Sequence, residues 1–297
     1  MEDSVECLVG ICAYNEEKNI DYCLDSVLSD AKKILVVASG CTDKTVEKVK
    51  SRIANGKIAL IEEKVRKGKA SALNLILEYF EKSDFEWLAL VNADSVAQQG
   101  AISKLVRFAK SNNLHVACGC PIPKKESGFL TYYITKFMWS LHNEFLKNSS
   151  KFNTHCTDEL VCIKRGIIKK IPQDTVNDGA LFSVLVTLKG GRVGFCEDAR
   201  VFVSVPKNLL ELIRQRSRIL SGHLLIKRRI GVFPKTLETT FISQPMLSLT
   251  TFKRAVSKEN PLVILLALLI EAISLCVATI SILTKREVWI WRKIITS

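Results

Sequence analysis

Short apolar runs alternate with amphipathic segments through the first 120 residues of the chain. The runs that predict buried strands are 6–12, 33–38, 57–61, 86–91 and 115–118. Between them, apolar residues recur every three or four positions, the spacing of one helix face. The helices predicted from this spacing begin near residue 15 and cover 46–53, 70–80 and 101–111. Strands that alternate with helices of this size predict an α/β fold with a mostly parallel central sheet flanked by helices.

The second half has a different pattern, with longer helices and one long apolar run. It predicts helices over 129–146, 178–188 and 207–230, and strands over 159–163 and 200–205. Residues 262–283 carry a single charge, Glu271, and are long enough to cross a hydrocarbon core of about 30 Å. We interpret this run as a transmembrane helix, with a fully buried core helix as the alternative. Basic residues stand on both sides of it, so the positive-inside rule leaves open whether it crosses or turns back.

Charge and composition narrow the class of protein. A hydrophobic content of 47% excludes a disordered chain, and 43 Lys and Arg against 30 Asp and Glu make the protein basic. Eight basic residues and one acid fall between 207 and 235, so we expect an interfacial helix near anionic headgroups or phosphorylated ligands. Few aromatic residues accompany this stretch, so nucleic acid is not the expected partner. We interpret the ten cysteines as structural thiols and the four histidines as incidental, with His155 near Asp158 the exception to examine.

Polar tripeptides end three of the predicted strands. They are 14–16 (Tyr-Asn-Glu), 39–41 (Ser-Gly-Cys) and 92–94 (Asn-Ala-Asp). Ligands of open α/β sheets bind outside the carboxyl ends of the strands. The three tripeptides therefore predict one shared binding site.

With these motifs the sequence resembles the family 2 glycosyltransferases, which have the GT-A fold. The resemblance covers roughly residues 6–230. The motifs that carry it, in chain order, are 13–17 (AYNEE), 39–45 (SGCTDKT), 66–74 (RKGKASALN), 92–94 (NAD), 177–178 (ND) and 215–219 (QRSRI). It implies a Rossmann-like GT-A domain, and the activity of moving a sugar from a nucleotide-diphosphate donor.

The resemblance implies that the first two turns bind the donor nucleotide. Ala13, Asn15 and Glu17 of the first turn would line its pocket, together with Ser39 of the second. Many relatives carry an Asp at the place of Ser39 that reads the base, so the base is left open. An Asn followed by acids is also typical of a plain helix N-terminus.

The donor diphosphate needs positive charge and a close backbone approach. The resemblance assigns these to Arg66, Lys69 and Gly68, with a solvated basic loop as the alternative. Gln215 and Arg218 lie one helical turn apart and share a face, which would also meet the diphosphate and the acceptor. They resemble the Gln-x-x-Arg-Trp signature of membrane-bound members, but Ile219 replaces the Trp. An aromatic platform for an acceptor sugar is therefore missing at that position.

Residues 92–94 occupy the place of the family's Asp-x-Asp metal motif. The resemblance implies a divalent cation, Mg²⁺ or Mn²⁺, on the diphosphate, and such ions prefer oxygen ligands. Asp94 is the predicted direct ligand. Asn92 replaces the first Asp and adds no negative charge, so we assign it to donor contact, with a strand-end cap as the alternative.

An inverting transfer needs a carboxylate that takes the proton of the acceptor hydroxyl. The resemblance points to Asp178, whose alternative role is a helix N-cap. Competing acids are Asp158, Asp174, Glu197 and Asp198.

The leading hypothesis is an inverting, metal-dependent glycosyltransferase with a lipid-linked or membrane-proximal acceptor. The alternatives are a glycosyltransferase with a small soluble acceptor, a nucleotidyltransferase, and a non-catalytic membrane scaffold that retains the fold. We expect a catalytic domain over 1–206, a basic interfacial helix and linker over 207–260, and a membrane helix and tail over 261–297. Since the first residues lack a basic segment followed by an apolar one, we expect the catalytic domain to face the cytoplasm.

Overall fold

The computed structural model of the protein describes residues 6–125, 128–149, 155–257 and 259–284. Within these ranges the strands belong to one eight-stranded sheet. The strands are β1 (Cys7–Ala13), β2 (Lys33–Ser39), β3 (Ile58–Glu63), β4 (Trp87–Asn92), β5 (Val96–Ala97), β6 (Val116–Pro123), β7 (Leu160–Lys164) and β8 (Val193–Val203). The helices are α1 (Ile20–Leu28), α2 (Thr45–Arg52), α3 (Lys69–Lys82), α4 (Ala101–Ser111), α5 (Phe129–Ser149), α6 (Asp178–Leu188), α7 (Leu209–Ile230), α8 (Leu237–Ser243), α9 (Pro245–Val256) and α10 (Pro261–Leu283).

The sheet has a parallel half and a mixed half, in the order β3-β2-β1-β4-β7-β6-β8-β5. Strands β3, β2, β1 and β4 run parallel, and β7 pairs antiparallel with both β4 and β6. Strands β6 and β8 are parallel again, and β5 pairs antiparallel with β8. The α/β prediction is confirmed. The parallel half brings the carboxyl ends of β1, β2 and β4 to one edge.

Helices cover both faces of this sheet. One apolar core joins the sheet to α1 and α4, through residues such as Leu24 and Leu105. The other joins it to α3 and α6, through residues such as Phe80 and Phe182. Because both faces are buried, the inner strands are apolar throughout, as the all-buried stretch Ile34–Ala38 shows. All ten cysteines lie within the described ranges and are free.

Four elements differ from the sequence prediction. The helix expected from residue 15 begins at Ile20, because Asn15 adopts a φ of +54° and the turn continues to the cap at Asn19. The helices α8 and α9 and the two-residue strand β5 are not predicted by the apolar pattern. Helix α8 is fixed instead by a capping box of Thr236 and Thr239, and α9 by Pro245 at its first turn.

The C-terminal helix α10 packs along α7. Its buried face carries small residues, and the Ser274 hydroxyl donates to the carbonyl of Ile213 at 3.3 Å. Residues of α5, α7, α9 and α10 form a third apolar cluster, separate from the two cores of the sheet. The large exposed residues of α10 are Leu262, Leu265, Leu268, Leu269, Ile273, Leu275, Val277, Ile280 and Leu283. Among the described residues, α10 is the one helix long and apolar enough to span a membrane.

An ion pair joins α10 to α7. The guanidinium of Arg216 donates to both carboxylate oxygens of Glu271, at 2.9 and 2.8 Å, and its Nη2 lies 3.8 Å from Glu238. Burial alone would lower the pKa of Arg216, but the two acids outweigh it and raise that pKa. A charge within an apolar run is costly in lipid, and the Glu271 carboxylate faces protein here. The basic residues that flank the run, such as Lys258 and Arg286, lie outside the described residues, so its topology stays a prediction.

We predict that breaking this pair loosens α10 from α7. Glu271→Leu or Arg216→Met alone leaves one charge in a largely apolar contact and should lower the free energy of unfolding by about 1–3 kcal/mol. The double variant should lose clearly less free energy of unfolding than the sum of the losses in the two single variants. Chemical denaturation in detergent micelles measures the cycle, with the exposed acid Glu47→Gln as control. Additive losses would show that the two charges do not depend on each other.

Candidate active site

A cavity opens where the carboxyl ends of β1, β2 and β4 meet the first turn of α3 and one face of α7. This follows from the parallel register, which sets Cys12 beside Asn92 and Ala13 beside Ala38. The sequence-predicted residues that line it are Ala13, Ser39, Arg66, Gly68, Lys69, Asn92, Asp94, Gln215 and Arg218. The structure therefore brings together five separate motifs of the sequence.

Two glycines let the loops of this cavity approach each other. Gly40 has a φ of +63°, and a side chain there would lie 2.4 Å from the backbone nitrogen of Arg66. Gly68 has a φ of +92° and is the N-cap of α3. The close approach lets the Lys67 backbone N–H donate to the Ser39 hydroxyl at 3.3 Å.

Arg66 is stacked on an aromatic ring at the mouth of the cavity. Its guanidinium carbon lies 3.6 Å from the centroid of the Tyr14 ring, a cation–π contact. Both side chains line the cavity, so a cationic and an aromatic surface are presented together beside Ser39.

A lysine lies at the centre of the site. The Lys69 ammonium lies 3.0 Å from a carboxylate oxygen of Asp178 and donates to the Asn92 amide oxygen, also at 3.0 Å. Burial alone would lower the pKa of Lys69, but Asp178 and Asp158 outweigh it and hold that pKa above its usual range. Asp178 is only 4% exposed and reaches the cavity through Lys69.

Two further acids come from the residues just before β7. Burial, and then the charge of Asp178, raises the pKa of Asp158 well above its usual range. The Asp158 carboxylate accepts from the Gly179 backbone N–H at 2.6 Å. Burial also raises the pKa of Glu159 to about 7. Opposite them, burial lowers the pKa of Arg218 to about 10, although Asp158 and Asp178 favour its charged form.

The competing acids are separated by their positions. Asp174 forms an ion pair with Arg229, and Glu197 pairs with Lys147 at 2.8 Å on the exposed edge of β8. Neither of these two acids lines the cavity, whereas Asp158 does. Asp158 lies close to Asp178. The helix that follows is capped by Asn177, whose side chain accepts from the Ala180 N–H at 3.1 Å, so Asp178 is not the N-cap.

One carboxylate of the site is open to solvent. Asp94 is exposed at the end of β4, whereas the amide oxygen of Asn92 already accepts from Lys69. Among the described residues, no group of three or more His, Cys, Asp or Glu is arranged to hold a metal ion. Mg²⁺ usually takes one or two protein carboxylates, and phosphate and water complete its shell. Asp94 therefore fits a cation that arrives with a diphosphate, and does not fit a resident all-protein metal site.

Two predicted residues lie away from the cavity. Asn15 contacts Thr42, accepting from its backbone N–H at 2.8 Å, and Glu17 accepts from the Lys44 N–H at 3.1 Å. They join the turn after β1 to the turn after β2. Their neighbours Tyr14 and Glu16 line the cavity instead. Donor binding by Asn15 and Glu17 stays a prediction.

The sequence does not predict the contribution of α5 to the cavity. Thr135 and Trp139 of α5 line it.

Three histidines meet beneath the start of α6. From the sequence the histidines are interpreted as incidental, with His155 as the exception to examine. His142 and His155 share a hydrogen bond of 2.8 Å between their Nε2 atoms, and the Nε2 of His223 contacts Asn177 at 3.0 Å. Burial lowers the pKa of all three, that of His223 to about 3, which favours the neutral form of each ring.

The sequence model of Glycosyl transferase family 2 matches residues 8–170, more than half of the chain. The chain therefore belongs to the family 2 glycosyltransferases. The SPbeta prophage-derived glycosyltransferase SunS of Bacillus subtilis (strain 168) is 34% identical over 145 residues, which are 48% of this chain and 33% of SunS. The chain thus spans a third of the length of this curated relative.

Solved structures share the fold at low identity. The mannosyltransferase PcManGT from Pyrobaculum calidifontis, in complex with GDP-Man and Mn²⁺, is 20% identical with a TM-score of 0.66, over 95% of this chain and 88% of that one. S. aureus TarS 1–349 in complex with UDP is 16% identical with a TM-score of 0.50, over 95% and 92%. These likenesses confirm the GT-A fold.

We predict that the ion pair of Lys69 with the buried Asp178 supports the fold as well as the site. Lys69→Met leaves Asp178 without its ion-pair partner and should lower the free energy of unfolding by about 3 kcal/mol. The double variant Lys69→Met with Asp178→Asn should recover most of the loss. Chemical denaturation measures both, with the exposed Lys64→Met of the same loop as control. An unchanged midpoint in the single variant would contradict a structural role of this pair.

Proposed function

We propose that this chain is a glycosyltransferase that moves a sugar from a nucleotide-diphosphate donor to a lipid-linked or membrane-proximal acceptor. The observation that carries the proposal is the open carboxylate of Asp94 in one cavity with three cations, Arg66, Lys69 and Arg218. Family membership supports glycosyl transfer as the reaction. The same convergence of four charged side chains in one cavity disfavours a non-catalytic scaffold, which has no need of it.

The donor would lie with its nucleotide over the turns after β1 and β2. Tyr14 and Arg66 offer a stacked aromatic and cationic surface to a base or ribose, and Ser39 lies beside them. The diphosphate then falls near Lys69 and the start of α3, where Gly68 admits a close backbone approach. The known structures that share the fold hold GDP-Man and UDP, so we leave the base open.

Asp94 would hold Mg²⁺ or Mn²⁺ together with the donor phosphates and water. When bound, such a cation neutralises the diphosphate and helps the nucleotide to leave. PcManGT, a structure of the same fold, is a complex with Mn²⁺. The positive side chains of Arg218 and Lys69 would also help to neutralise the diphosphate, since both face the same cavity.

We assign the base of an inverting transfer to Asp178. The acceptor hydroxyl gives its proton to the Asp178 carboxylate, its oxygen bonds to the anomeric carbon, and the bond to the diphosphate breaks on the opposite face. Lys69 would contact both the donor diphosphate and Asp178. When the diphosphate attracts the Lys69 ammonium, the Asp178 carboxylate is released to accept the proton. Asp158 is the competing candidate: it lines the cavity, but the Gly179 N–H occupies one of its carboxylate oxygens.

We propose that the C-terminal part attaches the enzyme to the membrane. In this account 1–206 form the catalytic domain facing the cytoplasm, 207–260 a basic interfacial helix and linker, and 261–297 the membrane helix and tail. The exposed leucines of α10 support the attachment, and exposed basic residues of α7, Arg214 and Arg228, would meet anionic headgroups. Arg216 faces α10 instead. A small soluble acceptor remains the second candidate.

Two matched variants test the assigned roles. With purified protein, a panel of nucleotide sugars, membrane lipid extract and Mn²⁺, both Asp94→Asn and Asp178→Asn should lower nucleotide diphosphate release by about 10²-fold or more. Only Asp94→Asn should also lose the Mn²⁺-dependent part of nucleotide binding, measured by calorimetry. Asp84→Asn, an exposed surface acid, is the control. Normal turnover in Asp94→Asn, or lost nucleotide binding in Asp178→Asn, would contradict these roles.

Fractionation of cell membranes tests the attachment. Each basic residue near an anionic surface contributes about 1 kcal/mol, which salt screens, whereas burial of α10 in lipid does not depend on salt. At 1 M salt the screening length is about 3 Å, so the attraction of exposed basic residues to headgroups is largely removed. The full chain should therefore stay with the membranes in 1 M salt and leave them in detergent. Recovery of the chain in the soluble fraction without detergent would identify α10 as a core or dimer helix.

A further inference from the structure

The cavity has an uncharged wall, of which the part on α5 belongs to none of the family motifs. Helix α5 contributes Thr135 and Trp139, four residues apart and therefore on one face. Helix α7 contributes Gln215 and Ile219 to the same cavity, with the same spacing. These four side chains carry no charge. The α7 side also carries Arg218, and the donor-facing part of the cavity carries Arg66, Lys69 and Asp94, so the uncharged surface is concentrated on α5. The wall therefore suits a neutral ring better than a diphosphate.

A buried hydroxyl of this wall has no partner. Thr135 is 5% exposed, and its Oγ1 has no hydrogen bond to any described residue. A Ser or Thr inside a helix commonly bonds to the carbonyl four residues before it, as Ser149 does with Phe145 and Ser217 with Ile213. A buried polar group left unpaired costs about 1–3 kcal/mol, so a ligand group that bonds to such a hydroxyl in a cavity wall recovers that cost.

Trp139 supplies the large apolar surface of the wall. Its ring is half-buried, packs against the core of the sheet, and meets the ring of His142 edge-on at 5.3 Å between centroids. These contacts fix the ring in one orientation at the cavity. A held indole offers a flat face to the C–H groups of a pyranose, and one N–H donor. The platform that is missing at Ile219 is thus present on α5.

We propose that Thr135 and Trp139 form the acceptor subsite, which takes the terminal sugar ring of the acceptor by stacking on Trp139 opposite Ile219. This inference rests on the proposed glycosyl transfer and adds the class of acceptor group, a pyranose rather than a bare lipid phosphate. The adjacent α5 residues Ile134 and Phe137 belong to the apolar cluster with α9 and α10. The subsite therefore lies on the helix that connects the cavity to the proposed membrane side.

The test uses methyl glycosides of glucose, galactose, mannose and N-acetylglucosamine as acceptors, because they present the sugar ring without a lipid. The assay uses the full chain in detergent with the nucleotide sugar that supports diphosphate release. Trp139→Ala should raise the KM for the glycoside about tenfold and leave the KM for the donor within about twofold. The glycoside KM of Trp139→Phe should lie between that of the unmodified chain and that of Trp139→Ala. Thr135→Val should raise the glycoside KM, and Thr135→Ser should restore it.

Phe129→Ala removes an aromatic ring from the same helix at a 79% exposed position and should change neither constant. Quenching of tryptophan emission by the glycosides gives a second readout, which Trp139→Phe should abolish. An unchanged glycoside KM in Trp139→Ala, a raised donor KM instead, or no quenching by any glycoside would overturn the subsite. Nucleotide diphosphate release with membrane lipid extract as the acceptor reports the proposed function separately, so its absence in the unmodified chain would refute glycosyl transfer itself.

Discussion

The centre of this protein is an ammonium group held between a carboxylate and an amide. Lys69 opens α3, Asn92 ends β4 and Asp178 opens α6, so one side chain joins three elements that are distant in sequence. Asp158 adds a second buried carboxyl beside Asp178. Two ionised carboxylates are costly to bury side by side without a compensating cation, so the convergence of the loops that carry them depends on Lys69. The cavity forms around that convergence.

Much of this arrangement is predictable from local pattern, and the remainder depends on tertiary contacts. Apolar runs predict β1 to β4, and the polar residues that end them predict the site. Which residues of a turn face inward is not predictable from type: Tyr14 and Glu16 line the cavity, whereas Asn15 and Glu17, one position out of phase, face the neighbouring turn. Strand β5 and helix α8 are too short for a periodic signal.

The same limit applies to groups assembled from several elements. The histidine cluster takes one ring from α5, one from the segment before β7 and one from α7, and no sequence spacing connects them. Trp139 reaches the cavity only because α5 packs beside the sheet. Helix α10 belongs to this set as well. Its apolar run predicts a membrane helix, but the pairing of Glu271 with Arg216 also makes it a support for the helix that carries Arg218.

The central claim is that the cavity around Lys69 holds a nucleoside diphosphate with its cation on Asp94. Crystals of the full chain grown with Mn²⁺ and UDP or GDP test it most directly, because Mn²⁺ scatters anomalously. The account predicts an anomalous peak at coordination distance from the Asp94 carboxylate, with diphosphate oxygens on its other side and the Lys69 ammonium beside them. A nucleotide bound elsewhere, or a Mn²⁺ peak that does not touch Asp94, would contradict it.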